Sequence, residues 1–251
     1  MDSPADVLGR GAALLRALAA AEPDGAGTTA VARAASLPRA TAHRLLTSLQ
    51  AEGLADRDLA TGHWLLGPEL FLLGTAAAAR YDVTGQAQPH VLRLARTTGE
   101  SAFYSVRRGD ETVCLLREDG SFPIRSHVLH EGARFPLGVV SAGLVVLAHL
   151  PDAEVEAYLD RSDLAAEHGP AHAPGPLRER IAQVRRDGWA LNPGLIVEGS
   201  WGMAAAVFDA SGRPVGALTL TGIESRFAPA RRPDLGALLL HEAHALTRAT
   251  T

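Results

Sequence analysis

The chain has 251 residues, of which 47% are hydrophobic, and a formal net charge of −4 at pH 7. This length favours two domains, and the negative balance excludes a protein that holds nucleic acid by overall positive charge alone. No signal-peptide pattern and no run of about 18 apolar residues is present, and the single Cys114 cannot form an internal disulfide. We therefore expect a cytoplasmic protein without a membrane partner.

Residues 7–21 predict a first helix, and residues 28–53 predict a helix-turn-helix. The apolar stripe of the first helix is expected to contain Leu8, Ala12, Leu15, Leu18 and Ala19. Val31, Ala34 and Ala35 then indicate a short helix, which Leu37 and Pro38 interrupt. A second helix begins at about Arg39, repeats Ala42, Leu45, Leu46 and Leu49 at helical spacing, and ends at Gly53.

The polar face of this second helix predicts a DNA-reading surface. It carries Arg39, Thr41, His43, Arg44 and Thr47. In a helix-turn-helix the N-terminal half of the second helix enters the major groove, where arginine pairs with guanine. The alternative is an ordinary amphipathic helix with a solvated polar face.

The next segments predict a wing and a linker helix. Leu54–Arg57 and Trp64–Gly67 resemble two short strands joined by a turn, which places Arg57 and His63 near the phosphate backbone. Residues 68–80 begin with proline and form an apolar helix through Leu70, Leu73 and Ala77. Such a helix needs a partner, and a second copy of the chain is the simplest one. A dimer would read half-sites roughly 34 to 36 Å apart.

From Tyr81 onward the pattern is mixed. A helix is expected up to Gly99, with Val91, Leu92, Leu94 and Ala95 facing inward. AFYSVRRG, ETVCLLRED and FPIRSHVL favour strands, and MAAAVFD and PVGALTLTG predict a hairpin. Apolar or amphipathic helices are expected in residues 135–150, 151–160 and 175–188, and from Arg232 to Thr247. This α+β domain is suited to enclosing a small pocket.

The sequence contains none of the catalytic motifs that would indicate an enzyme. Val139 and Glu198 stand where G-x-S-x-G would need glycine before Ser141 and Ser200, and no G-x-G-x-x-G follows a strand. We therefore expect neither an enzyme, nor a cofactor, nor a metal. His241, Glu242 and His244 resemble a metal motif, but Ala245 stands where H-E-x-x-H needs histidine. A zinc site at an oligomer interface and a solvated helix end are both left open there.

The order of these pieces resembles the IclR family of bacterial transcription regulators. The pieces are LPRATAHRLLTSLQAEGL, the wing, LGPELFLLG, TTGESAFYSVRRGDETVCL, PLGVVSAGLVVLA, VRRDGWAL and FDASGRPVGALTLTG. The resemblance implies a winged helix-turn-helix in residues 1–67, a linker helix in 68–80, and an effector-binding and oligomerisation domain in 81–251. This last domain would be similar to a GAF or PAS fold, with an antiparallel sheet and flanking helices. Members act as homodimers or dimers of dimers.

The resemblance also implies site residues. Arg39, Thr41, His43 and Arg44 occupy DNA-contact positions, and Ala40 stands where serine is common. The implied effector pocket contains Phe135, Ser141, Ala142, Asn192, Ser200, Gly202, Thr219 and Thr221. The family's acidic pair in the segment PGLIVEG and its lysine at Leu144 are not matched. Small residues and hydroxyls at a helix start suit an anionic group, whereas Thr219 and Thr221 are equally explained as ordinary strand residues.

These observations predict a ligand-responsive transcription factor, more often a repressor than an activator. Its partners would be a double-stranded DNA operator and a small effector of the carboxylate type. The alternative is a winged-helix sensor or scaffold that binds a protein. Salt dependence distinguishes the two, because only DNA affinity must fall steeply with salt.

Overall fold

The chain divides into two compact units, Met1–Tyr81 and Asp82–Thr251. The structure is a computed structural model, and it describes residues 6–78 and 83–250. The predicted end of the linker helix at Arg80 and the predicted start of the second domain at Tyr81 lie outside the described residues. None of the described helices combines the length and the apolar content that crossing a bilayer requires.

The first unit contains a helix-turn-helix and a hairpin. Its elements are α1 (Val7–Ala19), α2 (Thr28–Ala34), α3 (Arg39–Ala51), antiparallel β1 (Ala55–Arg57) and β2 (Trp64–Leu66), and α4 (Pro68–Ala78). Trp64 is 1% exposed and lies in a core with Leu14, Val31 and Leu46. Its indole nitrogen donates to the Thr28 hydroxyl over 2.9 Å. The hairpin is thereby fixed to the helix-turn-helix, and both predicted motifs are confirmed.

The turn between α2 and α3 follows from two residues. Ser36 adopts a left-handed conformation with φ of 54°, and the next amide, that of Leu37, donates to the Ala32 carbonyl over 2.9 Å. Pro38 then precedes α3, and its carbonyl accepts from the Ala42 amide over 2.9 Å. Because proline lacks an amide proton and fixes φ, it ends one helix and permits the next to begin.

Two predicted packing faces are wrong. In α1 the buried residues are Leu14 and Leu18, whereas Leu8 is 87% exposed. In α2 Ala32 is buried beside Val31, and Ala34 is exposed. Alanine and leucine in α1, and alanine in α2, make several faces of each helix apolar, and packing against the Trp64 core decides which face is buried.

The second unit is a six-stranded antiparallel sheet with helices on both faces. In chain order it contains α5 (Val83–Thr98), β3 (Ser101–Arg108), β4 (Glu111–Glu118), β5 (Arg134–Pro136), α6 (Ser141–Ala148), α7 (Asp152–Arg161), α8 (Leu164–His168), α9 (Pro174–Asp187), β6 (Trp189–Pro193), β7 (Ser200–Phe208), β8 (Pro214–Ile223) and α10 (Arg232–Thr250). The strand order is β5-β4-β3-β8-β7-β6. The α+β fold class is confirmed.

Side-chain alternation along the central strands separates two cores. Leu218 and Leu220 of β8 pack in the core that contains α5 and α10. Ala217 packs in the opposite core, with α6, α7 and α9. Because successive side chains of a strand face opposite sides, Thr219 and Thr221 face the α6 side of the sheet. Polar side chains are thereby placed beneath the start of α6.

The segment FPIRSHVL, predicted as a strand, forms a loop instead. The edge strand β5 starts later, at Arg134, and pairs with β4. Pro123 lacks the amide that a ladder requires. Ile124 is 57% exposed while Ser126 is 7% exposed, so the alternation turns the polar residue inward.

Candidate DNA-reading surface and ligand pocket

The outer face of α3 is exposed and polar. Arg39, Ala40, His43, Arg44 and Thr47 are exposed, Thr41 is half-buried, and Ala42 and Leu46 are buried on the opposite side. The guanidinium groups of Arg39 and Arg44 have no ion pair or hydrogen bond within the part of the chain that the structure describes. The hydroxyl of Thr47 donates to the His43 carbonyl over 3.0 Å. The structure therefore brings the predicted α3 residues together on one free surface.

Trp64 connects this surface to the wing. The ring of His43 lies edge-on to the indole, with 6.2 Å between the centroids. The guanidinium of Arg57 lies over the same indole at 5.4 Å, and its Nε donates to the Gly62 carbonyl over 3.3 Å. His63 Nδ1 is 3.1 Å from the carbonyl of Asp24. The two predicted wing residues thus already have partners inside the unit.

The turn of the wing is held by one carboxylate. Asp58 Oδ1 accepts from the amides of Ala60 and Thr61 over 2.8 and 2.7 Å and from the Thr61 hydroxyl over 3.0 Å. These bonds, that from the Thr61 amide above all, lower the pKa of Asp58. Leu59 at the tip is 99% exposed. The sequence reasoning did not single out this residue, although its place in a polar turn is a visible signal.

A cavity in the second unit collects almost all of the predicted effector residues. Seven of the eight line it, namely Ser141, Ala142, Asn192, Ser200, Gly202, Thr219 and Thr221. The cavity is completed by Ser126, Val128, Leu129, Val140, Ile196 and Trp201, which the sequence reasoning missed. Phe135 does not line it, because it lies on the edge strand β5 opposite Thr112 and packs against the core around Phe103 and Leu129.

The cavity wall offers hydrogen-bonding groups but no charged side chain. The hydroxyls of Thr219 and Thr221 are buried and have no hydrogen-bond partner among the described residues. Ser141 begins α6, whose N-cap, Val140, contributes no side-chain hydrogen bond. A Cβ on Gly202 would lie 3.0 Å from Ser141 Oγ, so glycine keeps this space open. Helix amides and free hydroxyls together suit an anionic or strongly polar ligand.

Asn192 has a different role from its neighbours in the cavity wall. Its Nδ2 donates to the Val139 carbonyl over 2.8 Å, and its Oδ1 accepts from the Leu195 amide over 3.1 Å. The same Val139 carbonyl lies 3.1 Å from His172 Nε2. Asn192 therefore holds the chain that leads into α6.

The loop between β4 and β5 closes the cavity. Ser126 Oγ lies 2.5 Å from Ser200 Oγ and accepts from the Val128 amide over 3.3 Å. The enclosed volume is only ≈ 30 Å³, which is enough for about two waters. Beyond these serines lies an open groove of ≈ 820 Å³, also bordered by Val197 and Glu198. Ser126, Val128 and Ser200 border both spaces.

The C-terminal histidines do not converge on a metal site. The carboxylate of Glu242 faces inward and accepts from Arg93 Nε over 3.0 Å and from His90 Nδ1 over 2.6 Å. His241 and His244 are exposed on α10. No group of metal-binding side chains is present among residues 6–78 and 83–250. Glu242 thus joins α5 to α10.

Comparison with known proteins covers both units. Residues 7–59 match the IclR helix-turn-helix domain, and residues 75–248 match the C-terminal domain of the bacterial transcriptional regulator IclR. The chain is 28% identical to the transcriptional repressor IclR of Escherichia coli, over 88% of this chain and 81% of that protein. It is 32% identical to the glycerol operon regulatory protein of Streptomyces coelicolor, over 96% and 94%. The crystal structure of an IclR homologue from Microbacterium hydrocarbonoxydans complexed with 4-hydroxybenzoate is 24% identical, with a TM-score of 0.75 and 97% and 100% of the two chains covered. The chain therefore belongs to the IclR family of bacterial transcriptional regulators.

Proposed function

We propose that this protein is a ligand-controlled repressor that reads an operator in double-stranded DNA with α3. One observation carries the proposal: Arg39 and Arg44 project from an exposed face and have no ion pair in the described structure. Cations left unpaired on the second helix of a helix-turn-helix are available to guanine and to phosphate. Since the whole chain has a net charge of −4, this local pair rather than the total charge supplies the attraction.

The residues of this surface differ in role. Arg44 lies one turn into α3 and is assigned to base reading, and Arg39 at the helix start is assigned to phosphate. Thr41, His43 and Thr47 add hydrogen bonds, and the two threonines also add methyl contacts. The small side chain of Ala40 allows the backbone of α3 to approach the DNA closely. Arg57 and His63 flank the groove and contribute less, because each already has a partner in its own unit.

The effector is a small molecule that carries a carboxylate. Its carboxylate would accept from the first amides of α6 and from the hydroxyls of Ser141, Thr219 and Thr221. Its remainder would contact the apolar part of the wall, formed by Val128, Leu129, Ile196 and Trp201. The 4-hydroxybenzoate held by the Microbacterium homologue has this combination of groups.

Binding requires the cavity to open. A volume of ≈ 30 Å³ does not hold such a ligand. The sheet and α6 belong to the packed core, whereas the wall at Ser126 is a loop. We assign the movement to this loop, so that the Ser126–Ser200 hydrogen bond breaks as the effector enters.

A second copy of the chain would cover α4. Phe71, Leu72 and Leu73 are 76%, 58% and 53% exposed on this helix. Burying three large apolar side chains is favourable by about 1.5 to 3 kcal/mol each. A homodimer, or a dimer of dimers, would place two reading helices on half-sites roughly 34 to 36 Å apart.

Binding of the full-length protein to DNA tests the proposal. Duplexes selected from a random library with the protein would be titrated by fluorescence anisotropy at several salt concentrations, with and without 4-hydroxybenzoate and other monocarboxylates. The expected results are a linear fall of log K with log salt and weaker binding in the presence of an acid. If no duplex is bound with a salt-dependent affinity, the alternative of a scaffold that binds a protein is favoured instead.

A further inference from the structure

Arg180 on α9 is a partly buried cation without a counter-ion among the described residues. Its Nε and Nη2 are buried and have no hydrogen-bond partner within the described chain. Its Nη1 makes one long contact, 3.5 Å to the Gly138 carbonyl. Burial lowers the pKa of Arg180 to about 10, so the group keeps its charge at neutral pH.

Other partly buried arginines of the same unit are paired. Arg226 and Arg231 both donate to Glu100, over 2.6 and 2.7 Å. A charge removed from water without a partner is costly, and an apolar side chain of similar volume usually stabilises such a position. The position of Arg180 is therefore not explained by the stability of the fold.

The guanidinium lies behind the wall of the cavity. Gly138 belongs to the chain between β5 and α6, and a Cβ on Gly143 would lie 3.1 Å from the Gly138 nitrogen. The loop that contains Gly138 therefore packs on the first turn of α6. Val140, two residues after Gly138, lines the cavity. Three residues of chain span at most about 10 Å, and Arg180 Nη1 lies 3.5 Å from the Gly138 carbonyl, so the charge is within roughly 15 Å of Ser141.

The electrostatic potential inside the cavity depends on charges that lie outside its lining. No lining side chain is charged, and the N-terminus of α6 contributes a partial positive charge. His172 lies beside the same loop, and its pKa is lowered by burial and by Arg180. This imidazole is thereby favoured in its neutral form, which leaves Arg180 as the full charge behind the loop.

We propose that Arg180 determines the specificity of the cavity for anionic effectors over their neutral isosteres, without touching them. The inference rests on the proposed function, because it takes the cavity as the effector site. At a separation of about 10 to 15 Å and an effective dielectric constant of about 20, one positive charge favours an acid over the matching amide by about tenfold. Arg180 is a positioning residue that acts through its field.

The first test needs no effector. A thiol in place of the Ser141 hydroxyl, in the full-length Ser141→Cys variant, reports the local potential through its pKa, read from thiolate absorbance. The buried Cys114 serves as background, because burial raises its pKa to about 12. Adding Arg180→Met is expected to raise the pKa of the introduced thiol by about one unit, whereas adding Arg180→Lys leaves it close to its value in the single variant. An unchanged thiol pKa with Arg180→Met overturns the proposal.

The second test separates a field from a structural role. In buffer without carboxylates, Arg180→Met is expected to melt at or above the wild-type temperature, because an unpaired buried charge has been removed. A large fall in melting temperature shows that Arg180 holds the fold and overturns the proposal.

The third test uses acetate and benzoate against acetamide and benzamide as thermal-shift probes. Arg180→Met is expected to reduce any preference for acid over amide about tenfold, whereas Arg180→Lys is expected to keep that preference. Retention of that preference by Arg180→Met counts against the proposal. If no acid stabilises the wild type, the effector assignment loses support, and the thiol titration still decides whether Arg180 sets the potential.

Discussion

Replacing Thr219 by valine should stabilise the ligand-free protein and weaken its response to the effector. The hydroxyl of Thr219 is buried, with 1% of the residue exposed, and has no partner among the described residues. Leaving such a group unsatisfied costs about 1 to 3 kcal/mol. Valine has nearly the same shape, so Thr219→Val should raise the free energy of unfolding by about 1 kcal/mol.

Thr98 provides a matched control in the same unit. It is also a buried threonine, but its hydroxyl donates to the Leu94 carbonyl over 2.8 Å and accepts from the Glu100 amide over 3.1 Å. Thr98→Val removes satisfied bonds and should lower the free energy of unfolding by about 1 to 2 kcal/mol. Urea unfolding followed by tryptophan fluorescence, in which Trp189 and Trp201 report on the second unit and Trp64 on the first, gives the midpoints of both variants in one assay.

The effector response supplies the second half of this experiment. Thr219→Val should bind selected operator DNA with wild-type affinity, because the substitution lies outside the DNA-binding unit. Release of that DNA should require at least about tenfold more effector, since one hydrogen bond to a charged group is worth about 1.5 to 3 kcal/mol. If Thr219→Val is destabilised as much as Thr98→Val, the hydroxyl has a partner and the reasoning fails. A normal effector response in a stable variant would place the ligand elsewhere.

Three further substitutions test other parts of the molecule. Arg44→Ala should weaken operator binding by about 1 to 3 kcal/mol in anisotropy titrations. The control, Arg16→Ala, removes the same charge from exposed α1 surface and should leave base discrimination unchanged. Equal losses of operator affinity in the two variants would contradict base reading by Arg44. Ser126→Ala removes the serine contact over the cavity and should raise the association rate of an acid effector several-fold in stopped-flow measurements, so an unaltered rate would argue against this route of entry. For Glu242, burial raises the pKa, but the hydrogen bonds from Arg93 and His90 outweigh it and the net pKa is lowered. Its contribution to stability is therefore present above the unfolded-state pKa and is lost as pH falls through the folded-state pKa. Glu242→Gln should lower the urea midpoint at pH 7 and reduce the further loss between pH 5 and pH 3; parallel curves for variant and wild type would contradict this.

Local chemistry made the reading helix predictable. Pro38 and Gly53 delimit α3 in the sequence, and both limits are found within two residues in the structure. Strand alternation likewise explains why Thr219 and Thr221 share one face. The buried face of α1 was not predictable, because its alanines and leucines cover several faces. Only packing in the core around Trp64 determines that Leu14 is buried and Leu8 is exposed.

Contacts between distant residues account for what sequence reasoning missed in the cavity. Ser126 closes it through Ser200, which lies 74 positions later. Arg180 reaches Gly138, which lies 42 positions earlier. Neither pair leaves a periodic pattern, and each residue alone resembles a solvated polar side chain. Phe135 lies apart from the cavity for the same reason, since its place on an edge strand depends on pairing with Thr112.

The unsatisfied groups around the cavity explain how a small ligand could shift the state of the whole protein. Thr219 and Thr221 have hydroxyls without partners, and Arg180 has a charge without a counter-ion. An acid that satisfies these groups recovers about 1 to 3 kcal/mol for each hydroxyl, and a site with equal affinity in both arrangements would shift nothing. Typical allosteric coupling is also about 1 to 3 kcal/mol. The unsatisfied groups of this cavity can therefore supply as much binding free energy as the control of DNA binding requires.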